Sequence, residues 1–168
     1  MMNEEELEMM EEEDTQKDKY LTFHIGGEDY AISISHVIEI IGMLKITEVP
    51  QTPHYVKGVI NLRGKVIPVM DIRLRFEMEP RDYDERTCVI VVNFNDNTVG
   101  FVVDTVSEVL DIPAESVETC GQLSQSEGGN FICGMGKVED RIKMILDVDA
   151  LLFKDNEVLE NLSAEAEV

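Results

Sequence analysis

The chain has 168 residues, and its 35 acids against 14 lysines and arginines leave a net charge of −21. That balance argues against nucleic acid as a ligand, because polyanion binding needs a broad basic face. No run approaches the roughly 18 uninterrupted apolar residues of a membrane span, so no direct membrane insertion is expected. The 43% hydrophobic content is enough for one domain, or for two small ones sharing a core.

Eight acids crowd positions 4–14. Like charges at that density favour a solvated tail, so residues 1–18 are set apart from the fold as an acidic disordered tail. The tail has neither a basic n-region nor an apolar h-region, so it is not read as a secretory signal. Leu21, Phe23 and Ile25 alternate with polar neighbours, then Gly26-Gly27, then Tyr30, Ile32 and Ile34 alternate again. Two period-2 runs around Gly-Gly predict a hairpin. Residues 35–42 (SHVIEIIG) read as a short apolar connector, and Pro50 and Pro53 punctuate a loop.

Residues 56–76, VKGVINLRGKVIPVMDIRLRF, hold the most information. Two apolar runs flank Arg63-Gly64-Lys65, and Gly64 supplies the φ > 0 that a tight reversal needs. Pro68 cannot donate to a ladder, which points to an edge or a bulge there. Asp71 is placed to cap a short helical turn. Five basic residues (Lys57, Arg63, Lys65, Arg73, Arg75) stand against Asp71 alone, making a local island of positive charge and a candidate contact surface.

Residues 88–94 (CVIVVNF) and 98–103 predict another hairpin about an Asn-Asp-Asn turn. Residues 106–112 continue apolar to Pro113, and 124–130 (SQSEGGN) read as a mobile loop. A last hairpin turns at residues 139–141 and ends in the capped helical turn DVDALLF at 147–153. Beyond it, Val158, Leu159 and Leu162 share one helical face.

The chain also repeats itself. Residues 31–41 (AISISHVIEII) lie without gaps over 100–110 (GFVVDTVSEVL), 69 positions on, matching Val37 to Val106 and Glu39 to Glu108. Residues 65–71 likewise resemble 141–147. Each copy holds a hairpin, a connector and a second hairpin closed by an Asp-capped turn. A unit of this size is marginal alone, so an all-β fold of two small barrels with a shared apolar interface is expected. The corresponding divisions are 19–84 and 85–153, followed by a C-terminal tail at 154–168.

Nothing here forms a catalytic or metal constellation. His24, His36 and His54 lack partners at ligand spacing, and Cys88, Cys120 and Cys133 form no CxxC pair. The odd cysteine count suits reduced thiols in a cytosolic protein. No phosphate-binding glycine motif follows a strand, and Gly134-x-Gly136 reads as a bend. No enzyme activity and no cofactor are expected. An oligonucleotide-binding barrel would need aromatic platforms on a basic groove, against 6% aromatics here. Arg63 reads either as a solvated tip residue or as a planar fork for a partner's carboxylate or carbonyls. Glu39 reads either as an acceptor for backbone amides or as a surface contact, and the basic island in the same repeat favours the second.

Residues 56–76 resemble the CheW chemotaxis coupling family, whose signature GxxNLRGxxxPxxDLRxxF they match with Ile72 in place of a leucine. The likeness extends less specifically through VIEI, TP, VGFVVDTVSEVLDI and MILDVDALL, over residues 19–153. It implies two SH3-like five-stranded β-barrel subdomains around a shared hydrophobic core, with short helices at connectors and C-terminus. It further implies an adaptor bridging chemoreceptor cytoplasmic tips to the regulatory domain of the histidine kinase CheA, cytoplasmic and recruited to membrane-associated receptor arrays. By position, Arg63 and Gly58 match signature residues tied to partner binding, and Val37 and Glu39 match the VxEI element given the same role. The CheW-like modules of CheA and CheV share the motif. They are joined to a kinase core or a receiver domain, for which no glycine box or acidic pocket is seen here, so a standalone coupler is expected.

Overall fold

The computed structural model describes residues 3–5, 18–119 and 131–152. Most of the acidic tail, the loop read at 124–130, Phe153 and the C-terminal tail lie outside the described residues.

Strands β1 (Lys19–Ile25) and β2 (Glu28–Ser33) form the first expected hairpin. The 69-residue echo gives their counterparts, β6 (Cys88–Phe94) and β7 (Asn97–Val103). β4 (Val56–Leu62) and β5 (Lys65–Asp71) pair about Arg63-Gly64, as β10 (Ile132–Val138) and β11 (Arg141–Leu146) do about Glu139-Asp140. Asp71 caps helix α1 (Ile72–Arg75) by accepting from Leu74 N. Asp147 does the same for α2 (Val148–Leu152) by accepting from Ala150 N at 3.2 Å.

Residues 37–42 depart from the sequence reading: they form strand β3 (Val37–Gly42), antiparallel to β6, and only the 3₁₀ turn Ile34–His36 is a connector. The repeat partner of β3 is β8 (Thr105–Asp111), antiparallel to β1. Both strands occupy sheet edges, which is why one face of β3 can stay apolar yet exposed and lose the clean alternation that marks a strand.

The strands assemble into a five-stranded sheet, β3-β6-β7-β5-β4, and a six-stranded sheet, β8-β1-β2-β11-β10-β9. These are the two SH3-like subdomains. The sixth strand, β9 (Val117–Thr119), pairs with β10, and its counterpart in the other sheet is the single Thr47–Val59 bridge. The sheets do not divide at residue 84. Each contains the opening hairpin of one repeat and the remaining strands of the other, so the repeats have exchanged hairpins. The seams of exchange are the parallel pairs β5·β7 and β11·β2 and the antiparallel pairs β3·β6 and β1·β8. The physical reason is the core: Leu21, Phe23, Ile90, Val92, Phe101, Met70 and Leu151 from both repeats bury one apolar cluster between the sheets. A second cluster of Ile60, Ile67, Val69, Val89, Val91 and Val102 fills the five-stranded barrel.

Of the two alternatives read for Pro68, the edge is not met, since β5 is an interior strand, whereas a bulge does lie beside it, between Val56 and Gly58 on the opposing strand. Val59 opposite it sends both backbone groups to Thr47, at 2.9 and 2.8 Å, so this pair needs no bond between β4 and β5. The missing N–H would face β7, and the parallel register with β7 includes only Val69–Asp71. Proline therefore removes no ladder bond there.

The β2·β11 seam is held by charge. Asp29, 2% exposed, accepts from Lys143 Nζ at 2.9 Å and Arg141 Nε at 2.9 Å and meets His24 Nδ1. Its repeat counterpart is Thr98, which accepts from Lys65 Nζ at 3.0 Å. Burial alone would raise the Asp29 carboxyl, but the bond to Lys143 and the surrounding cations hold it below its ordinary value of 3.8. A depressed carboxyl stabilises the fold above its unfolded pKa, and that stability is lost as pH falls through the folded value. Asp29→Asn is expected to cost about 2–3 kcal/mol near neutral pH, since it strands the buried Lys143 ammonium. Urea titrations should show the gap to wild type closing as pH drops below 3.8; a constant gap would mean the carboxylate charge is not what holds the seam.

Candidate partner-binding site

At the β4–β5 tip, Arg63 (φ 54°) and Gly64 (φ 85°) both take the left-handed conformation, the two-residue reversal that matches strand twist. Asn61 Oδ1 accepts from Gly64 N at 2.9 Å and fastens the turn. Arg63 then reaches over to β3, where Nη1 and Nη2 donate to Glu39 Oε1 and Oε2 at 2.7 and 2.9 Å. The two parallel bonds are the planar fork arrangement that only arginine offers. The Arg63 bond, opposed by burial, holds the Glu39 carboxyl below its ordinary value.

β3 and β4 are opposite edges of the five-stranded sheet. The ion pair spans them only because the sheet curls, and the Thr47–Val59 bridge closes the same gap. Glu39 therefore takes a guanidinium rather than the backbone amides that were its alternative partners. Arg63 remains 72% exposed beside it. Ile38 and Ile40 flank Glu39 at 52% and 42% exposure, and Leu44 follows nearby in the chain, also exposed. The alternating burial of β3 puts Ile38 and Ile40 on one face of the strand and Glu39 on the other, so this edge strand presents a charged clasp on one face and exposed apolar side chains on the other, a surface suited to a protein partner. Sequence reading missed Ile38 and Ile40 because a connector was expected there; an edge strand with a bulge, lying between Val37 and Glu39, was the signal to seek.

Val37 and Gly58 occupy different positions from this clasp. Val37 begins β3, half-buried against the main core. Gly58 is buried in β4 at φ 143°, and a Cβ there would lie 2.1 Å from Thr47 O. The structure thus brings together Arg63 and Glu39, with Val37 at the base of β3 and Gly58 behind the closing bridge.

The basic island is dispersed. Arg73 pairs with Asp104 at 2.6 Å and is mostly buried. The Arg75 guanidinium lies over the rings of Tyr55 and Phe131, 4.6 and 4.3 Å from their centroids, and its Nε donates to Leu151 O. These two arginines serve the core because α1 lies at the opposite end of β5 from the Arg63 tip. Among the described residues, no group of three His, Cys, Asp or Glu is placed to hold a metal ion.

Two interlocked SH3-like barrels with a clasp on one edge define a scaffold-type interaction module. The chain belongs to the CheW-like domain family, whose profile matches residues 19–155. It is 37% identical over 141 residues to the chemotaxis protein CheW of Klebsiella aerogenes, covering 84% of this chain and 85% of that one. It is also 37% identical over 137 residues to chemotaxis protein CheW of Helicobacter pylori, covering 82% of each. The crystal structure of the scaffolding protein TtCheW from Thermoanaerobacter tengcongensis superposes with a TM-score of 0.75 at 32% identity, over 80% of this chain and 92% of that one.

Proposed function

We propose that this chain is a non-enzymatic adaptor of bacterial chemotaxis that couples chemoreceptor cytoplasmic tips to the regulatory domain of the histidine kinase CheA. Its family membership and its chemotaxis relatives support the pathway. The observation that carries the surface is the Arg63–Glu39 fork on an edge strand whose other face exposes Ile38 and Ile40. Arg63 and Glu39 are the contact residues in this reading. Val37 and Gly58 are positioning residues, one seating β3 on the core and the other admitting the bridge that closes the barrel. The adaptor works in the cytoplasm, held at membrane-associated receptor arrays by its partners.

The test is titration of the purified chain against the CheA regulatory domain and a receptor-tip fragment, separately and then together. Binding to each, and a joint complex of all three, is the expected result. Failure to bind either fragment would overturn the reading.

A further inference from the structure

The parallel pair β5·β7 ends beside two carboxylates, Asp71 closing β5 and Asp104 at the crossing from β7 to β8. The 76–87 segment, which joins the two repeats, is bonded to both. Tyr83 Oη donates to Asp71 Oδ2 at 2.7 Å, and Arg81 Nη1 donates to Asp104 Oδ2 at 3.1 Å. The segment is also braced internally, with Asp84 Oδ1 accepting from Arg86 N at 2.8 Å and from Thr87 N at 3.2 Å.

Asp104 gathers more than this segment. Its carboxylate, 14% exposed, also accepts from Arg73 Nη2 of α1 at 2.6 Å and from Gly26 N in the β1–β2 turn at 3.0 Å. Its own N–H donates to His24 O at 3.2 Å. Met78 N donates to Arg73 O at 3.0 Å, and the Met78 Cε methyl sits against Gly26, 2.5 Å from where a Cβ would lie. Burial alone would raise the Asp104 carboxyl, but the bonds from Arg73 and Gly26 and the nearby Arg81 charge hold it below its ordinary value of 3.8.

The fold itself does not require this arrangement. The internal echo puts Ser35 where Asp104 stands and Asp149 where Arg73 stands, so the crossing from β2 to β3 forms without the ion pair. That crossing is fastened by its own 3₁₀ turn, in which Val37 N–H donates to Ile34 O. The carboxylate hub is therefore an addition on one side of the molecule. It ties together a turn, a helix, a connecting segment and a crossing that lie far apart in the chain.

We infer that the 76–87 segment is a latch: together with α1, the β1–β2 turn and the β7–β8 crossing it closes on Asp104 and Asp71, and these parts open as one unit. Donors that share a carboxylate lose their bonds together when it is freed, which is the condition for a cooperative local opening. A contact made with the segment alone is thereby passed to the β1–β2 turn, which belongs to the six-stranded sheet. The Arg63 tip lies at the other end of β5 and stays outside the unit. This inference concerns the free chain and stands apart from the identity of any partner.

Amide hydrogen exchange of the full chain tests it. In wild type, the amides of Gly26, Leu74, Met78 and Asp104 are expected to share one dependence on low urea, as members of a single opening unit do. Unrelated slopes among the four would overturn the inference. Arg81→Ala removes a side chain that bonds to Asp104 and Asp84 but to neither Gly26 nor Leu74. It should nevertheless speed the Gly26 and Leu74 amides about threefold or more. Tyr83→Phe removes the bond to Asp71 and should speed the Gly26 and Asp104 amides to a similar extent. The amides of Thr47 and Gly64, which lie outside the unit, should keep their wild-type rates in both variants. Acceleration confined to residues 81–87 in Arg81→Ala, or to Leu74 and its neighbours in Tyr83→Phe, would mean that these bonds act singly and that there is no latch. Acceleration that reaches Thr47 and Gly64 would mean a loss of global stability and would overturn the inference as well. If a variant fails to fold, the wild-type slopes still decide.

Discussion

Arg63→Glu is expected to weaken binding to kinase or receptor fragments by about thirtyfold or more, with the melting temperature moving by no more than about 3 °C. The small thermal effect follows from exposure. Arg63 stands 72% in solvent, and ion pairs at such sites contribute little to stability because water competes for both groups. The large binding effect follows from two causes acting together. The substitution removes a planar fork from the exposed edge that β3 presents, and it sets a carboxylate against Glu39, 2.7 Å from where the guanidinium nitrogen now sits. Like charges at that distance repel the β4–β5 tip from β3, and they also repel any acidic partner group. Arg63→Ala should do less harm, since it removes attraction without adding repulsion. The charge-swapped double variant, Arg63→Glu with Glu39→Arg, separates the two causes. It restores a salt bridge across the barrel edges with reversed polarity. If calorimetric titration shows that the swap recovers full affinity, the pair acts only by closing the barrel. If affinity stays low while the single variants and the swap all melt near wild type, partners read the polarity of the clasp itself. Unchanged affinity in Arg63→Glu would remove this residue from the binding surface.

Local features of this fold were readable because they are written in local chemistry. Gly26-Gly27 and Arg63-Gly64 mark reversals, Asp71 and Asp147 mark helix starts, period-2 alternation marks β1 and β2, and an almost continuous β-branched run before Asn95-Asp96-Asn97 marks β6 and its return strand β7. Arg63 and Glu39 were both singled out from sequence, but not as a pair. They lie 24 residues apart on opposite edges of an open strand order, and only the curl of the sheet makes them neighbours. The exchange of hairpins was hidden for a related reason. A repeat shows that two units are alike, yet a hairpin that fits one copy's sheet fits the other's equally well, so the echo cannot say which it joins. The basic island misled because counting charges along a segment ignores direction: the Arg63 tip and helix α1 lie at opposite ends of β5, so Arg73 and Arg75 turn to Asp104 and to aromatic rings instead of solvent. Ile38 and Ile40 were passed over because apolar residues on an exposed edge look, in sequence, like the interior of something.

Gly58→Ala is expected to destabilise the chain by about 3 kcal/mol, lowering the melting temperature by roughly 6–12 °C. Two independent penalties combine. A φ of 143° is a backbone conformation that L side chains rarely adopt. The added Cβ would also lie 2.1 Å from Thr47 O and 2.8 Å from Thr47 C, which are backbone atoms with no side-chain freedom to move aside. Relief would require withdrawing residue 47, and that breaks the Thr47–Val59 pair of hydrogen bonds, at 2.8 and 2.9 Å, that closes the five-stranded barrel. Gly134 supplies the internal control, since it occupies the same bulge in the second repeat. There a Cβ would meet the Val117 Cγ1 methyl at 2.8 Å and Glu118 O at 3.3 Å, a tight contact made chiefly with a side chain. Gly134→Ala should therefore cost less, about 1 kcal/mol. Thermal and urea denaturation of both variants check the order. Binding measured well below the Gly58→Ala melting point decides what the glycine does for function. Affinity that falls only in step with the folded fraction assigns Gly58 to positioning, through the bridge that holds β4 and hence the Arg63 tip. Lost affinity in a fully folded variant would instead mean that a partner approaches this backbone directly, and the positioning role would be wrong.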